Sequence, residues 1–228
     1  PVGLLYWFSG TNFSATGMSS CWLECNGGDC VRRETKVDPM DSILSDLVFN
    51  TDVAAVRSGK IKRGLFSVPC NTFSVSKFRP HARIRPVRDS GHILMLPNLV
   101  QADQAKAKVA NILVQRTCDI ARELSKLGGV WIIENPVRRN DSSGPWKRFD
   151  SGKFPKHGSL FQMPAIISLA HDVKAKVAHV PLCWFAHERA DICDVEQKYI
   201  TLMYSPELEP ALAFLHHTRC EHLSHNNV

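Results

Sequence analysis

Short apolar runs, each closed by glycine, proline or a polar turn, recur along the chain, and one long central stretch returns its apolar residues at helical spacing. The opening run Val2–Phe8 is apolar and aromatic and stops at Ser9-Gly10-Thr11, which reads as a strand entering a turn. Val31–Val37, ending at Asp38-Pro39, fits a second strand, and Gly64–Val68, running into Pro69-Cys70, a buried third. Between these, Asp52–Ser58 suggests a short helix. From Gln101 to Leu127 the positions Ala105, Val109, Ile112, Leu113, Cys118, Ile120 and Leu124 form a helical pattern, with Gly128-Gly129 as its C-cap. Val130–Ile133 is then a fully apolar strand that delivers Glu134-Asn135-Pro136 at its end. Beyond it Ser159–Ala170 reads as helix, Ala178–Phe185 and Lys198–Tyr204 as strands, and Pro206–His216 as a last helix. Strand and helix alternate through most of the chain, which predicts an α/β fold on a parallel sheet.

Two stretches interrupt the alternation. Phe78–Arg88 carries prolines and many cations and reads as a loop, and Arg138–His157 is polar, glycine-containing and basic, a long loop or insertion. No internal repeat or low-complexity tract occurs. At 228 residues the chain can bury one substantial core, so we expect a single domain. Residues 1–136 would hold its chemistry, 137–158 the basic loop, and 159–228 the last part of the sheet with the final helix.

With 44% hydrophobic and 22% charged residues, the composition is that of a folded globular chain rather than a disordered one. Its longest apolar runs, such as Gly129–Ile133 and Ile93–Leu96, are too short to span a bilayer, so no membrane partner is expected. The opening Pro1-Val2-Gly3-Leu4 has neither an initiator Met nor a basic leader, and reads as the start of a piece processed or excised from a larger polyprotein or assembly. Eight cysteines without an extracellular signal point to thiols or metal ligands, and so to an intracellular, reducing compartment, nuclear or cytoplasmic.

In an open parallel sheet, ligands bind beyond the C-terminal ends of the strands. Three predicted strands end in Phe8-Ser9-Gly10, in Pro69-Cys70-Asn71-Thr72-Phe73-Ser74 and in Glu134-Asn135-Pro136, so a thiol and a carboxylate should meet at one sheet edge. Each segment alone has a plainer reading: Pro-Cys at a strand end is usually a buried structural thiol, and Glu-Asn-Pro a turn. Together they resemble the cytosine-C5 methyltransferase family over residues 4 to 136. Phe8-Ser9-Gly10-Thr11 is similar to its Phe-x-Gly-x-Gly cofactor loop, Pro69 to Ser74 to its Pro-Cys-x-x-Phe-Ser nucleophile motif, and Glu134-Asn135 to its Glu-Asn motif. The similarity is greatest to short, divergent members from protists, mobile elements and viruses.

The resemblance implies a Rossmann-like class I methyltransferase fold, with helices on both faces of a mostly parallel sheet and no room for a large target-recognition domain. It implies S-adenosylmethionine as cofactor, held by Phe8, Ser9, Gly10, Thr11 and Pro69, with Asp38 (or its rival Glu34) on the ribose hydroxyls and Asp46 near the adenine amino group. It assigns Cys70 as the nucleophile that adds to C6 of the base. Glu134 becomes the acid that assists at N3, its protonated form favoured by burial. Three features depart from the family: Asn12 replaces the second glycine, Val68 replaces a proline, and no Gln-x-Arg-x-Arg motif follows Glu134. These departures keep open a different class of function, a catalytically weakened methyltransferase-like module that binds nucleic acid or a protein partner within a larger assembly.

Charge then bears on the partner. Formal net charge is +6 with a pI near 9.0. Lys77, Arg79, His81, Arg83, Arg85 and Arg88 follow the nucleophile motif, while Arg138, Arg139, Lys147 and Arg148 follow Glu134-Asn135. Cationic loops are often merely solvated, but these two leave the same predicted sheet edge and suit phosphate contacts. Ser74, Lys77, Arg79, Arg83, Arg85, Asn135, Arg138 and Arg139 are therefore the candidate substrate contacts, with Phe78 available to fill the gap left by a flipped base. The expected polymer is nucleic acid, DNA ahead of RNA. No metal site is expected: Cys183, His187, Cys193, Cys220, His222 and His225, like Cys21, Cys25 and Cys30, are only loosely spaced as zinc ligands.

Overall fold

A computed structural model describes residues 2–8, 29–33, 42–79, 82–140, 144, 154–181 and 199–219. Strand β1 (Gly3–Trp7) is apolar and almost wholly buried, as a central strand of a two-sided sheet must be. Strand β2 (Cys30–Arg33) lies parallel to it on one side and β3 (Ile61–Phe66) parallel on the other. Helix α1 (Asp46–Arg57) links β2 to β3. It begins six residues ahead of the expected Asp52, because its first turn exposes Leu47 and so hides the helical pattern.

The expected long helix is α2 (Gln101–Lys126). Its inward face is Ala107, Ala110, Leu113, Val114, Cys118, Ile120, Ala121 and Leu124, whereas Ala105, Val109 and Ile112 of the expected face are exposed. It ends in the left-handed glycine motif that the sequence foretells: Gly128 has φ 69°, Gly129 N–H donates to Leu124 O at 2.8 Å and Gly128 N–H to Ser125 O at 3.2 Å.

Strand β4 (Val130–Pro136) pairs parallel with β3. It runs three residues beyond the expected Val130–Ile133, since β6 (Tyr199–Tyr204) pairs with it antiparallel and holds Glu134, Asn135 and Pro136 in the ladder. The expected helix Ser159–Ala170 is split. A capping box formed by Ser159 and Gln162 closes a single 3-10 turn, and α3 (Pro164–Val173) follows with Pro164 at its first position. Strand β5 (Lys176–Pro181) is antiparallel to β6. The expected last helix is reduced to α4 (Glu209–Leu212) between 3-10 turns, as Pro206 and Pro210 interrupt it.

The sheet order is β2-β1-β3-β4-β6-β5. It is mixed rather than wholly parallel, because β6 opposes both its neighbours. Helices α1, α2 and α3 cover one face over Leu5, Trp7, Phe66, Trp131, Ile133 and Met203, and the C-terminal segment covers Ile132, Val180, Ile200 and Tyr204 on the other. The molecule is thus α/β, compatible with a Rossmann-like fold. No helix among the described residues is long and apolar enough to cross a membrane.

Candidate active site

The chain moves from β1 to β2 on one side and then crosses to β3 on the other, so the C-terminal edge at β1 and β3 is a topological switch point, where such sheets leave a crevice. In register, Trp7 lies beside Phe66 and Phe66 beside Ile133, which brings Phe8, Ser67 and Glu134 to one level at that edge. Past Phe66 the chain leaves the ladder, passes Pro69 and forms a tight turn over Cys70–Thr72, then a second over Val75–Phe78 whose start is capped by Ser74 Oγ accepting from Ser76 N–H. Cys70 is an exposed free thiol. Thr72 and Phe73 beside it are buried and anchor the turn.

Side chains alternate along β4, so Asn135 faces the helix-covered side with Ile133 and half-buried Glu134 faces the other. Asn135 Nδ2 donates to Val68 O at 2.6 Å in a buried contact. This bond fastens the end of β4 to the segment that carries Pro69 and Cys70. Asn135 Oδ1 and Thr72 Oγ1 are buried with no hydrogen-bond partner among the described residues, two polar atoms left unsatisfied at the base of the thiol turn.

Phe73 is held by Arg88, expected as one of the cations of the basic loop, and by His157, which no motif singles out. The guanidinium of Arg88 stacks 4.2 Å above the Phe73 ring and donates to Ile93 O at 2.8 Å and Asn111 Oδ1 at 3.1 Å. Burial alone lowers its pKa to about 10. Buried His157 contacts the Phe73 carbonyl through Nε2 at 2.7 Å, and the Phe78 ring meets the imidazole edge-on. Neither residue has a motif around it: Arg88 hides in a basic run and His157 in a polar loop.

Comparison with protein-family models, with characterised proteins and with solved structures finds no match.

On the cofactor side, Phe8 takes a left-handed conformation with φ 64°, rare for a bulky residue, while its N–H donates to Arg33 O at 2.8 Å. Phe8 immediately precedes the segment where the resemblance puts the cofactor loop, and Pro69 follows the end of β3 at the same sheet edge. Ser9, Gly10, Thr11, Asn12, Glu34 and Asp38 lie outside the described residues. Below the edge, buried Asp52 accepts from Trp7 Nε1 at 3.0 Å and from Arg33 Nη2 at 2.9 Å, tying β1, β2 and α1 together. Asp46 is exposed in the first turn of α1 and paired with Arg116, at a groove of about 450 Å³ between α1 and α2.

Of the candidate substrate contacts, Arg79, Arg83, Arg85 and Arg138 are exposed, and Ser74 and Lys77 are half-buried near Cys70. Burial, then the Lys106 cation, lowers the Lys77 ammonium pKa. Two cations depart from expectation. Arg88 and Arg139 are buried, and so belong to the scaffold rather than to a solvated basic face. Phe78 is likewise engaged with His157 instead of projecting toward a base. His81, Lys147, Arg148, Cys21, Cys25, Cys183, His187, Cys193, Cys220, His222 and His225 lie outside the described residues. Among the described residues no group of three or more His, Cys, Asp or Glu side chains could hold a metal ion.

Proposed function

We propose that this chain is an S-adenosylmethionine-dependent cytosine-C5 methyltransferase-like domain that acts on nucleic acid, DNA ahead of RNA. The observation that carries the reading is the buried bond from Asn135 to Val68 O, which joins the Glu134-Asn135 strand end to the Pro69-Cys70 turn. The bond joins the two motifs where the neighbouring strands β3 and β4 end, and so brings the thiol turn and the carboxylate to one edge. The sheet supports the reading, being parallel through β2, β1, β3 and β4 and closed by an antiparallel last strand. The left-handed conformation of Phe8 at the switch point between β1 and β3 supports the reading, since such edges are where open α/β sheets bind nucleoside-type cofactors.

In this reading the exposed Cys70 thiolate adds to C6 of the target pyrimidine and pushes electron density toward C5. Glu134 hydrogen-bonds the ring at N3 and stabilises the charge that the addition creates. S-adenosylmethionine, when bound, supplies the electrophilic methyl group for C5. Water takes the C5 proton, and the electrons of that C–H bond re-form the C5–C6 double bond as the thiolate leaves, which restores the aromatic ring and the free Cys70. Arg79, Arg83, Arg85 and Arg138 draw the polyanion to the edge and hold its phosphates.

Calorimetric titration with S-adenosylmethionine tests the cofactor, and a 5-fluorocytosine oligonucleotide tests the chemistry, because fluorine at C5 prevents release of the thiol. Binding together with an adduct that Cys70→Ala abolishes is the expected result. Absence of cofactor binding at millimolar concentration would overturn the enzyme and favour the weakened module, a reading that the burial of Arg139 supports by removing one arginine from the base pocket.

A further inference from the structure

Buried His157 makes a hydrogen bond at each ring nitrogen. Nδ1 lies 3.0 Å from the backbone N–H of Arg139, which can only donate, so Nδ1 carries no proton. Nε2 lies 2.7 Å from the carbonyl of Phe73, which can only accept, so Nε2 carries one. The two partners fix the neutral Nε2–H tautomer. They sit on different segments: Phe73 closes the turn that begins at Cys70, and Arg139 follows β4 just beyond Glu134-Asn135. A third segment packs against the residues on either side of His157, with Ser90 N–H donating to Lys156 O at 3.0 Å and Gly158 so near Asp89 that a Cβ would stand 2.9 Å from its carbonyl.

Asn135 holds Val68 O before Cys70 and His157 holds Phe73 O after it. The thiol turn is therefore bracketed by two tied carbonyls, both reached from the end of β4 or the residues after it. We infer that His157 is the positioning residue that couples the turn carrying Cys70 to the strand end carrying Glu134, acting as a neutral ring that accepts from one segment and donates to the other. The inference rests on reading Cys70 and Glu134 as the reacting pair, but the coupling concerns two backbone segments and is measurable without substrate.

Protonation breaks the device, because an N–H at Nδ1 would face the N–H of Arg139. Arg138 and Arg139 flank the ring from the end of β4, Arg88 lies across Phe73, Lys77 precedes Phe78, and Lys156 adjoins His157 itself. Asp89, whose backbone packs against Gly158, directs its carboxylate to the backbone N–H groups of Gly91 and His92 and to the His92 ring. Burial first, then the Arg139 and Arg138 cations, hold His157 below its ordinary value of 6.5 despite the Phe73 bond. The unfolded ring thus binds protons more readily than the folded one, so the coupling is complete above 6.5 and is lost as pH falls through the lower folded value.

Hydrogen exchange of the full chain, followed by mass spectrometry from about pH 7.5 to about pH 4.5 and corrected for intrinsic rates, tests this. In the unaltered protein the segments 71–79 and 137–140 should lose protection together, by about tenfold or more, with one midpoint below 6.5. His157→Gln, whose amide reaches Phe73 O, should keep 71–79 protected and free 137–140; His157→Asn, whose carbonyl reaches Arg139 N–H, should do the reverse. Neither variant should retain the shared midpoint. Protection that does not change with pH in the unaltered protein, or that changes at separate midpoints in the two segments, would overturn the inference even if the variants fail to fold. Coupled protection without any 5-fluorocytosine adduct would sink the methyltransferase reading and leave the coupling standing.

Discussion

Asn135 commits one half of its amide to Val68 O and leaves the other half buried without a partner among the described residues, which makes it the most informative residue of the site. Replacing it by alanine strands the Val68 carbonyl in the interior, at a cost of about 1–3 kcal/mol. Asn135→Ala should lower the unfolding midpoint in denaturant titration and slow adduct formation more than that loss of stability explains. Asp52 is a second such residue. Asp52→Ala leaves Arg33 and the Trp7 indole N–H without their shared carboxylate, and equilibrium unfolding should show a loss of about 3–5 kcal/mol. At this scale the neighbours of Cys70 and Glu134 single them out in the sequence as candidates, and the ends of β3 and β4 bring their segments to one sheet edge. The sequence could not reveal what Arg88 and His157 do, because their roles come from contacts with Phe73 and Arg139 that only folding creates.

Elements were legible where one physical signal dominated. The helix α2 was visible from its length and its paired glycines, although Val109 and Ile112 show that apolar identity alone does not fix the inward face. The end of β4 was less legible, since antiparallel pairing with a strand 63 residues later extends it through Pro136. Charged Lys62 and Arg63 likewise disguised the start of β3. Gly129 offers a test of the junction between α2 and β4. A Cβ there would stand 2.7 Å from Lys62 O, a backbone atom that cannot turn aside, so Gly129→Ala should destabilise the protein more than Gly128→Ala. The latter meets no neighbour within 4 Å and bears only the left-handed penalty of about 1–2 kcal/mol. Thermal unfolding of the pair should rank them in that order.

For the whole molecule, the sheet gathers the thiol turn, the carboxylate strand end and the turn at Phe8 along one edge, and exposed Arg79, Arg83, Arg85 and Arg138 share the segments leaving it. If nucleic acid is the partner, as proposed, its binding there releases counterions, so the logarithm of the binding constant for DNA should fall linearly with the logarithm of salt concentration. Arg83→Gln combined with Arg85→Gln should weaken binding and make that slope shallower by about two contacts, as read by fluorescence anisotropy over a salt series. Stability should also rise with pH from the lowered folded value up to 6.5, as the unfolded chain's His157 ring gives up the proton that the folded ring does not bind, and level off above it. The proposed methyltransferase chemistry depends on whether Cys70 reacts. The direct measurement is mass spectrometry of the chain incubated with S-adenosylmethionine and a 5-fluorocytosine duplex: an adduct mapped to Cys70 and lost in Cys70→Ala is expected, whereas cofactor binding without an adduct, or an adduct that survives that substitution, would refute Cys70 as the nucleophile.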